Sequence, residues 1–285
     1  MVDNWITPIP VLMAPRVNLS LIRDLSMRDD PFLQLLLKSA SSRMFPIAGD
    51  IMTTSLLSVP LHAFNEDLEG VAIDIPAAAH TLAGFRAWAL SDEVPEKRRV
   101  CFLRGRVIVD MSKEEILTHA AVKTEVAIIM GQLVRGIDFG DFYINGVLLT
   151  NIEADVSNNP DMMAISWANL ESGKTRYIAA KKNREVEIEG SPDWVLEIVS
   201  ASSQIKDTRD LRQAYHRAGI REYWLIDARG EEIDFQILSW RKPGYVAVPI
   251  REGWQRSKVF GRHFQLTRAR DRRGGWRYEL AVKEA

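Results

Sequence analysis

Two carboxylates stand where the surrounding residues are apolar. Glu197 interrupts Trp194–Val199 (WVLEIV), and Asp161 opens Asp161–Trp167 (DMMAISW). An unpaired carboxylate taken out of water is costly, so such a residue needs a cation, a hydrogen-bond network or a solvated cleft. Two carboxylates on neighbouring strands make an all-oxygen site of the kind that Mg²⁺ and Mn²⁺ take. Such an ion activates water and offsets phosphoryl charge. Spacing alone allows a second arrangement, in which Glu197 faces solvent at a sheet edge and Asp161 only caps its strand. Asp193 precedes Glu197 by four residues, so strand alternation puts both side chains on one face. It reads either as a support for the site or as a strand-start residue.

The elements that must position these residues follow from periodicity. Thr81 reads as the N-cap of a helix whose Leu82, Phe85, Trp88 and Ala89 share a face. Val100–Met111 reads as two strands around Arg104-Gly105-Arg106. Ser112 precedes Glu114 and Glu115, acidic residues suited to a first helical turn. Ile116, Ala120, Lys123, Ala127, Met130 and Val134 line a mostly apolar face of the long helix that follows. Phe142–Leu149, Asp161–Trp167, Tyr177–Ala180 and Glu185–Ile188 read as strands. Trp194–Val199 and Glu222–Ile226 read as strands buried on both faces, separated by a helix over Asp207–Ala218 with Gly219 just past its end. Ile233–Ser239, Tyr245–Ile250, Lys258–Leu266 and Trp276–Val282 form an antiparallel tail. This order is α+β or mixed α/β, not regular βαβ alternation.

Composition narrows the class. The chain has 285 residues, enough for a substantial core, with 37 basic and 38 acidic residues. Nucleic-acid binding therefore requires a local basic patch. The single cysteine, Cys101, excludes an intramolecular disulfide and a cysteine-rich zinc site, reads as a small buried hydrophobe, and fits a reducing cytoplasm. No apolar run approaches bilayer length, and the N-terminus lacks the layout of a signal peptide. Residues 1–65 are proline-punctuated and read as a largely irregular extension, with Met52 a candidate start; 66–285 read as the folded domain. Arg268, Arg270, Arg272 and Arg273 read as a solvated loop or a phosphate contact. P-loop, dinucleotide-binding, Gly-x-Ser-x-Gly and His-Glu-x-x-His patterns are absent.

Ser191-Pro-Asp-Trp-Val-Leu-Glu-Ile-Val-Ser200, Lys206-Asp207, Tyr215, Ala218-Gly219 and Glu222-Tyr-Trp-Leu-Ile-Asp227, with Asp110-Met-Ser, His119 and Asn159-Pro-Asp161 upstream, resemble the Uma-two-type endonuclease family of the PD-(D/E)xK superfamily. The resemblance spans roughly Thr81 to Leu266. It implies a restriction-endonuclease-like core, a central mixed sheet flanked by helices, and divalent-metal-dependent cleavage of nucleic acid, DNA in the first instance, by a chain that acts as a homodimer. Asp161 and Glu197 then hold Mg²⁺ or Mn²⁺ with the Ile198 carbonyl, and His119, Asp193 and Asp207 support them. The superfamily's lysine, two residues after the glutamate, is Val199 here. The family's alternative, four residues before the tyrosine, is Leu211. Lys206 is the nearest remaining lysine, and either it or Arg212 would screen charge. Those departures favour the alternative of an inactive nuclease-fold module that acts in binding or assembly.

Overall fold

The computed structural model describes residues 73–94, 99–110, 113–179 and 184–284. The proposed extension at 1–65, Met52 and the Ser112 cap lie outside these residues.

Thr81 caps the first helix, α1 (Leu82–Ala89), by accepting a hydrogen bond from the Gly84 N–H, and the helix buries Phe85 and Trp88. β1 (Arg99–Leu103) and β2 (Arg106–Asp110) form the expected hairpin. Arg104 and Gly105 take φ of 50° and 73°, the double positive φ that a two-residue hairpin turn requires. A π-helical turn, Ile116–Ala120, leads into α2 (Ala121–Gly136). The wide turn shifts the helical phase. Ile116 is 76% exposed, and the buried face runs through His119, Val122, Lys123, Val126, Met130 and Val134.

The single strand expected over Phe142–Leu149 is two strands, β3 (Gly140–Ile144) and β4 (Leu148–Asn151). Asn145-Gly146, at φ 46° and 75°, turns the chain between them, and they join different sheets. β5 (Val156–Asn158) is a short strand that periodicity does not reveal. β6 (Met162–Ser166) ends where Ser166 caps α3 (Trp167–Glu171). Then come β7 (Thr175–Ala179), β8 (Glu185–Gly190) and β9 (Trp194–Ile198). A second π-helical turn, Lys206–Leu211, starts the helix expected from Asp207, which continues as α4 (Arg212–Arg217), with Gly219 at φ 72° behind it. β10 (Glu222–Asp227), β11 (Asp234–Ser239) and the two-residue β12 (Val246–Ala247) follow, then β13 (Gln255–Ser257), β14 (Arg262–Arg270) and β15 (Trp276–Glu284).

Two six-stranded sheets result, ordered β2-β1-β5-β4-β8-β7 and β12-β11-β10-β9-β6-β3, with a three-stranded antiparallel sheet β13-β14-β15. The pairs β4–β8 and β9–β10 are parallel; the other pairs within the sheets are antiparallel. Val195, Met163, Tyr215 and Tyr223 share a core with Cys101, Leu149 and Ile188 of the other large sheet. Trp194, Leu196, Ile198 and Trp224 share a second core with α2 and the C-terminal sheet. β9 is buried along its whole length for this reason. Among the described residues no helix is long and apolar enough to cross a membrane.

Glu222 ties the C-terminal sheet to the core. It is 1% exposed and accepts hydrogen bonds from the backbone N–H of Lys258 (2.6 Å) and Val259 (3.2 Å), the Ser257 hydroxyl (2.7 Å) and Trp224 Nε1 (3.1 Å). Glu222→Ala strands these donors, at roughly 1–3 kcal/mol for each buried group left unmatched. We predict a loss of about 3 kcal/mol in urea unfolding of Glu222→Ala, with Glu222→Gln losing less; a loss under about 1 kcal/mol would contradict this role.

Candidate metal and nucleic-acid site

β6 and β9 are antiparallel with Met162 opposite Leu196, so extending the register by one pair puts Asp161 opposite Glu197. Directly opposed residues project from the same face with Cβ atoms about 4.5–5.5 Å apart. Both carboxylates are buried, at 5% and 3% exposure, and both line one open pocket of about 120 Å³. His119, Lys206, Asp207 and Asn158 line it too. His119 comes from one π-helical turn, and Lys206 and Asp207 come from the other. Such turns recur at functional sites because they redirect side chains without ending the helix.

Asp161 is held from three directions. Lys123 Nζ lies 2.9 Å from its Oδ1, while the Ile198 N–H (2.8 Å) and His119 Nε2 (3.5 Å) reach Oδ2. Burial alone would raise this carboxyl, but the His119 hydrogen bond, the Lys123 charge and the Ile198 N–H outweigh it and hold it well below the usual carboxylate range. His119 is raised in return: desolvation opposes its charge, and Asp161 overcomes that opposition. Glu114 backs the arrangement by accepting from Lys123 Nζ (2.6 Å) and facing His119 Nδ1 (2.8 Å).

Glu197 has a different environment. Its Oε1 accepts from the Tyr215 hydroxyl (2.6 Å) and from Asn158 Nδ2 (2.9 Å), which also donates to the Tyr215 oxygen (2.8 Å). Its carboxyl is raised, first by burial and then by the neighbouring negative charges of Asp207 and Asp161, with Lys206 opposing. Lys206 is only 20% exposed at its side chain and pairs with Asp207 at 3.4 Å. Desolvation works against its charge, and Asp207 and Glu197 more than compensate, so its pKa is raised. Asp207 also accepts from the Ser203 hydroxyl. Cys101 lines the same pocket, but burial pushes its thiol up to about 12, so it offers no thiolate nucleophile.

The pocket does not include every residue expected there. Asp193 is absent from it. The aspartate does face the same side of β9 as Glu197, but four residues of strand put about 13 Å between them. It accepts from the Ser166 N–H (2.8 Å), Asn169 Nδ2 (3.2 Å) and Arg221 Nη1 (3.0 Å), anchoring α3 and the entry to β10. Arg212 donates to the Tyr245 carbonyl. Val199 and Leu211 are buried core residues and supply no charge.

A family model described as "Putative restriction endonuclease" (Uma2) matches residues 82–269. The chain belongs to this family. Its fold is restriction-endonuclease-like, with mixed sheets flanked by helices and an antiparallel C-terminal extension. A solved structure titled as a putative nuclease belonging to DUF820 from Anabaena variabilis ATCC 29413 is similar at 17% identity and a TM-score of 0.46, covering 63% of this chain and 90% of that one. No curated protein matches.

Within this Uma2 fold, the carboxylates of the pocket fit a hard divalent cation: Asp161 and Glu197 are opposed, and Asp207 and Asp110 line the same pocket. Among the described residues, no three His, Cys, Asp or Glu side chains are grouped as a ready-made metal cage. The Lys123 ammonium lies 2.9 Å from Asp161 Oδ1. Periodicity alone assigns this lysine to an apolar helix face, where a charge is as anomalous as Glu197 is in its strand. Removing one partner of a buried ion pair costs about 3–5 kcal/mol. We predict that Lys123→Met loses about 3 kcal/mol in chemical denaturation, and that adding Asp161→Asn recovers most of it. Additive losses in the double variant would contradict the pairing.

Proposed function

We propose that the protein is a divalent-metal-dependent endonuclease that hydrolyses phosphodiester bonds of nucleic acid, with DNA the favoured substrate. The observation that carries this reading is the opposition of Asp161 and Glu197 across β6 and β9 in one pocket, within a chain of the Uma2 family. Asp161 and Glu197 would hold Mg²⁺ or Mn²⁺, joined by the Ile198 carbonyl. When bound, the ion supplies Lewis acidity toward a phosphoryl oxygen and lowers the pKa of water.

The chain's own residues do the rest. Tyr215 and Asn158 fix the Glu197 carboxylate in one rotamer. His119 and Glu114 fix the Asp161 side, with Lys123 bridging them. Lys206 stands in for the lysine missing at Val199 and Leu211, stabilising negative charge that grows on the phosphate as water attacks. Asp207 holds the Lys206 ammonium toward the pocket at 3.4 Å.

A second reading is an inactive nuclease fold that serves binding or assembly. It is favoured by the apolar side chains at Val199 and Leu211 and by the Lys123 ammonium against Asp161. Incubating linear and supercoiled DNA and RNA with Mg²⁺ or Mn²⁺ separates the two. The nuclease reading predicts cleavage that is lost in Asp161→Ala and Glu197→Ala. It also predicts turnover lowered about 10²–10³-fold in Lys206→Ala, the effect typical of losing one charge-stabilising donor. No cleavage of any substrate by the wild type supports the binding module, and full activity in Lys206→Ala removes that lysine's role.

A further inference from the structure

The C-terminal sheet carries an arrangement that the pocket chemistry does not use. Along β13 the side chains alternate: Gln255 and Ser257 are buried, whereas Arg256 is exposed. Trp254 and Lys258 flank β13 and line one groove with Arg256. Arg256 lies directly opposite His263 of β14, and His263 lies directly opposite Lys283 of β15. Three basic residues thus form one row straight across the sheet. Lys283 Nζ lies 4.1 Å above the Trp254 ring.

The row borders a groove of about 490 Å³ whose lining includes Arg241, Arg251, Trp254, Arg256, Lys258 and His263, with no aspartate or glutamate. None of these basic side chains takes an ion pair among the described residues; His263 Nδ1 meets the Glu284 carbonyl at 3.3 Å, and Arg241 donates to the Trp240 carbonyl. Other basic side chains among the described residues do meet carboxylates, as with Arg86 on Glu187 and Glu189, Arg229 on Asp227, and Arg262 on Glu284. The chain's charges nearly cancel overall, so this concentration is local.

We infer that this groove is a binding surface for the phosphate backbone of nucleic acid, separate from the pocket that holds Asp161 and Glu197. Unpaired guanidinium and ammonium groups around an aromatic ring are the chemistry that holds a phosphodiester chain without reading its bases. Ser239 in the groove pairs with Glu222, and Glu222 pairs with Trp194, at the end of β9 remote from Glu197. The separation along the strand is about 10 Å at 3.3 Å per residue. The inference rests on the nuclease reading only for the identity of the polyanion.

The test is fluorescence anisotropy of the full chain with a labelled 30-base-pair DNA duplex in EDTA, across a series of KCl concentrations. Arg251→Glu with Arg256→Glu is expected to weaken binding at least 10-fold and to lower the slope of log affinity on log salt by about 2, the value for two lost phosphate contacts. The milder Arg251→Gln with Arg256→Gln is expected to move both readouts in the same direction and keeps the test valid if the charge reversal unfolds the protein. Arg135→Glu with Lys174→Glu, both exposed and away from the groove lining, makes the same change in net charge elsewhere and is expected to alter affinity less than twofold. Equal losses in the two charge-reversed proteins, an unchanged salt slope, absence of binding by the wild type, or equal competition by polyglutamate would each overturn the inference. Cleavage is read separately with metal present, so failure of the groove and failure of the nuclease reading give different results.

Discussion

The structure depends on a set of charges taken out of water at one end of β6 and β9. Asp161 and Glu197 are each nearly inaccessible and lie opposite one another on adjacent antiparallel strands. Two like charges so placed repel, and burial penalises both. The protein treats them unequally. Asp161 receives an ammonium, an imidazole and a backbone N–H, which together stabilise its ionised form. Glu197 receives a phenol and an amide, which leave its carboxyl raised. Lys206 offsets part of the charge on the Glu197 side.

The neighbouring elements follow from that requirement. α2 must begin close enough to Asp161 to deliver His119 and Lys123, and the π-helical turn before it brings His119 onto the buried face. The second such turn performs the same service for Lys206 and Asp207. Tyr215, one helix face further on, closes the Glu197 side, and its ring packs against Tyr223 within the shared core. The site is therefore made by helices gripping the end of a sheet whose two faces are fully covered, which is why β9 has no polar residue other than Glu197 along its length.

Much of this was legible in the residues alone. Glu197 announces itself because a charge inside WVLEIV has no bland explanation once the strand is buried on both faces. The hairpin at Arg104-Gly105, the Thr81 cap and Gly219 were readable because each rests on a local backbone demand. Lys123 would have been found by applying to the helix the rule that exposed Glu197 in the strand. Other features were hidden for physical reasons. A π-helical turn shifts the phase on which helical periodicity depends, so Ile116 reads as buried and is exposed. Asn158 lies on a three-residue strand too short to carry a pattern. Asn145-Gly146 was a usable turn signal inside what otherwise reads as one strand. The parity argument for Asp193 gave the right face, but a face is not a position, and the residue serves α3 and Arg221 at the far end.

The central claim is that Asp161 and Glu197 form one cation site, and Mn²⁺ binding followed by the loss of the free-ion paramagnetic signal tests it without reference to any substrate. The account predicts saturable binding to the wild type, lost in both Asp161→Asn and Glu197→Gln while each variant remains folded by circular dichroism. Binding that persists unchanged in either variant, or no binding by the wild type, would contradict it.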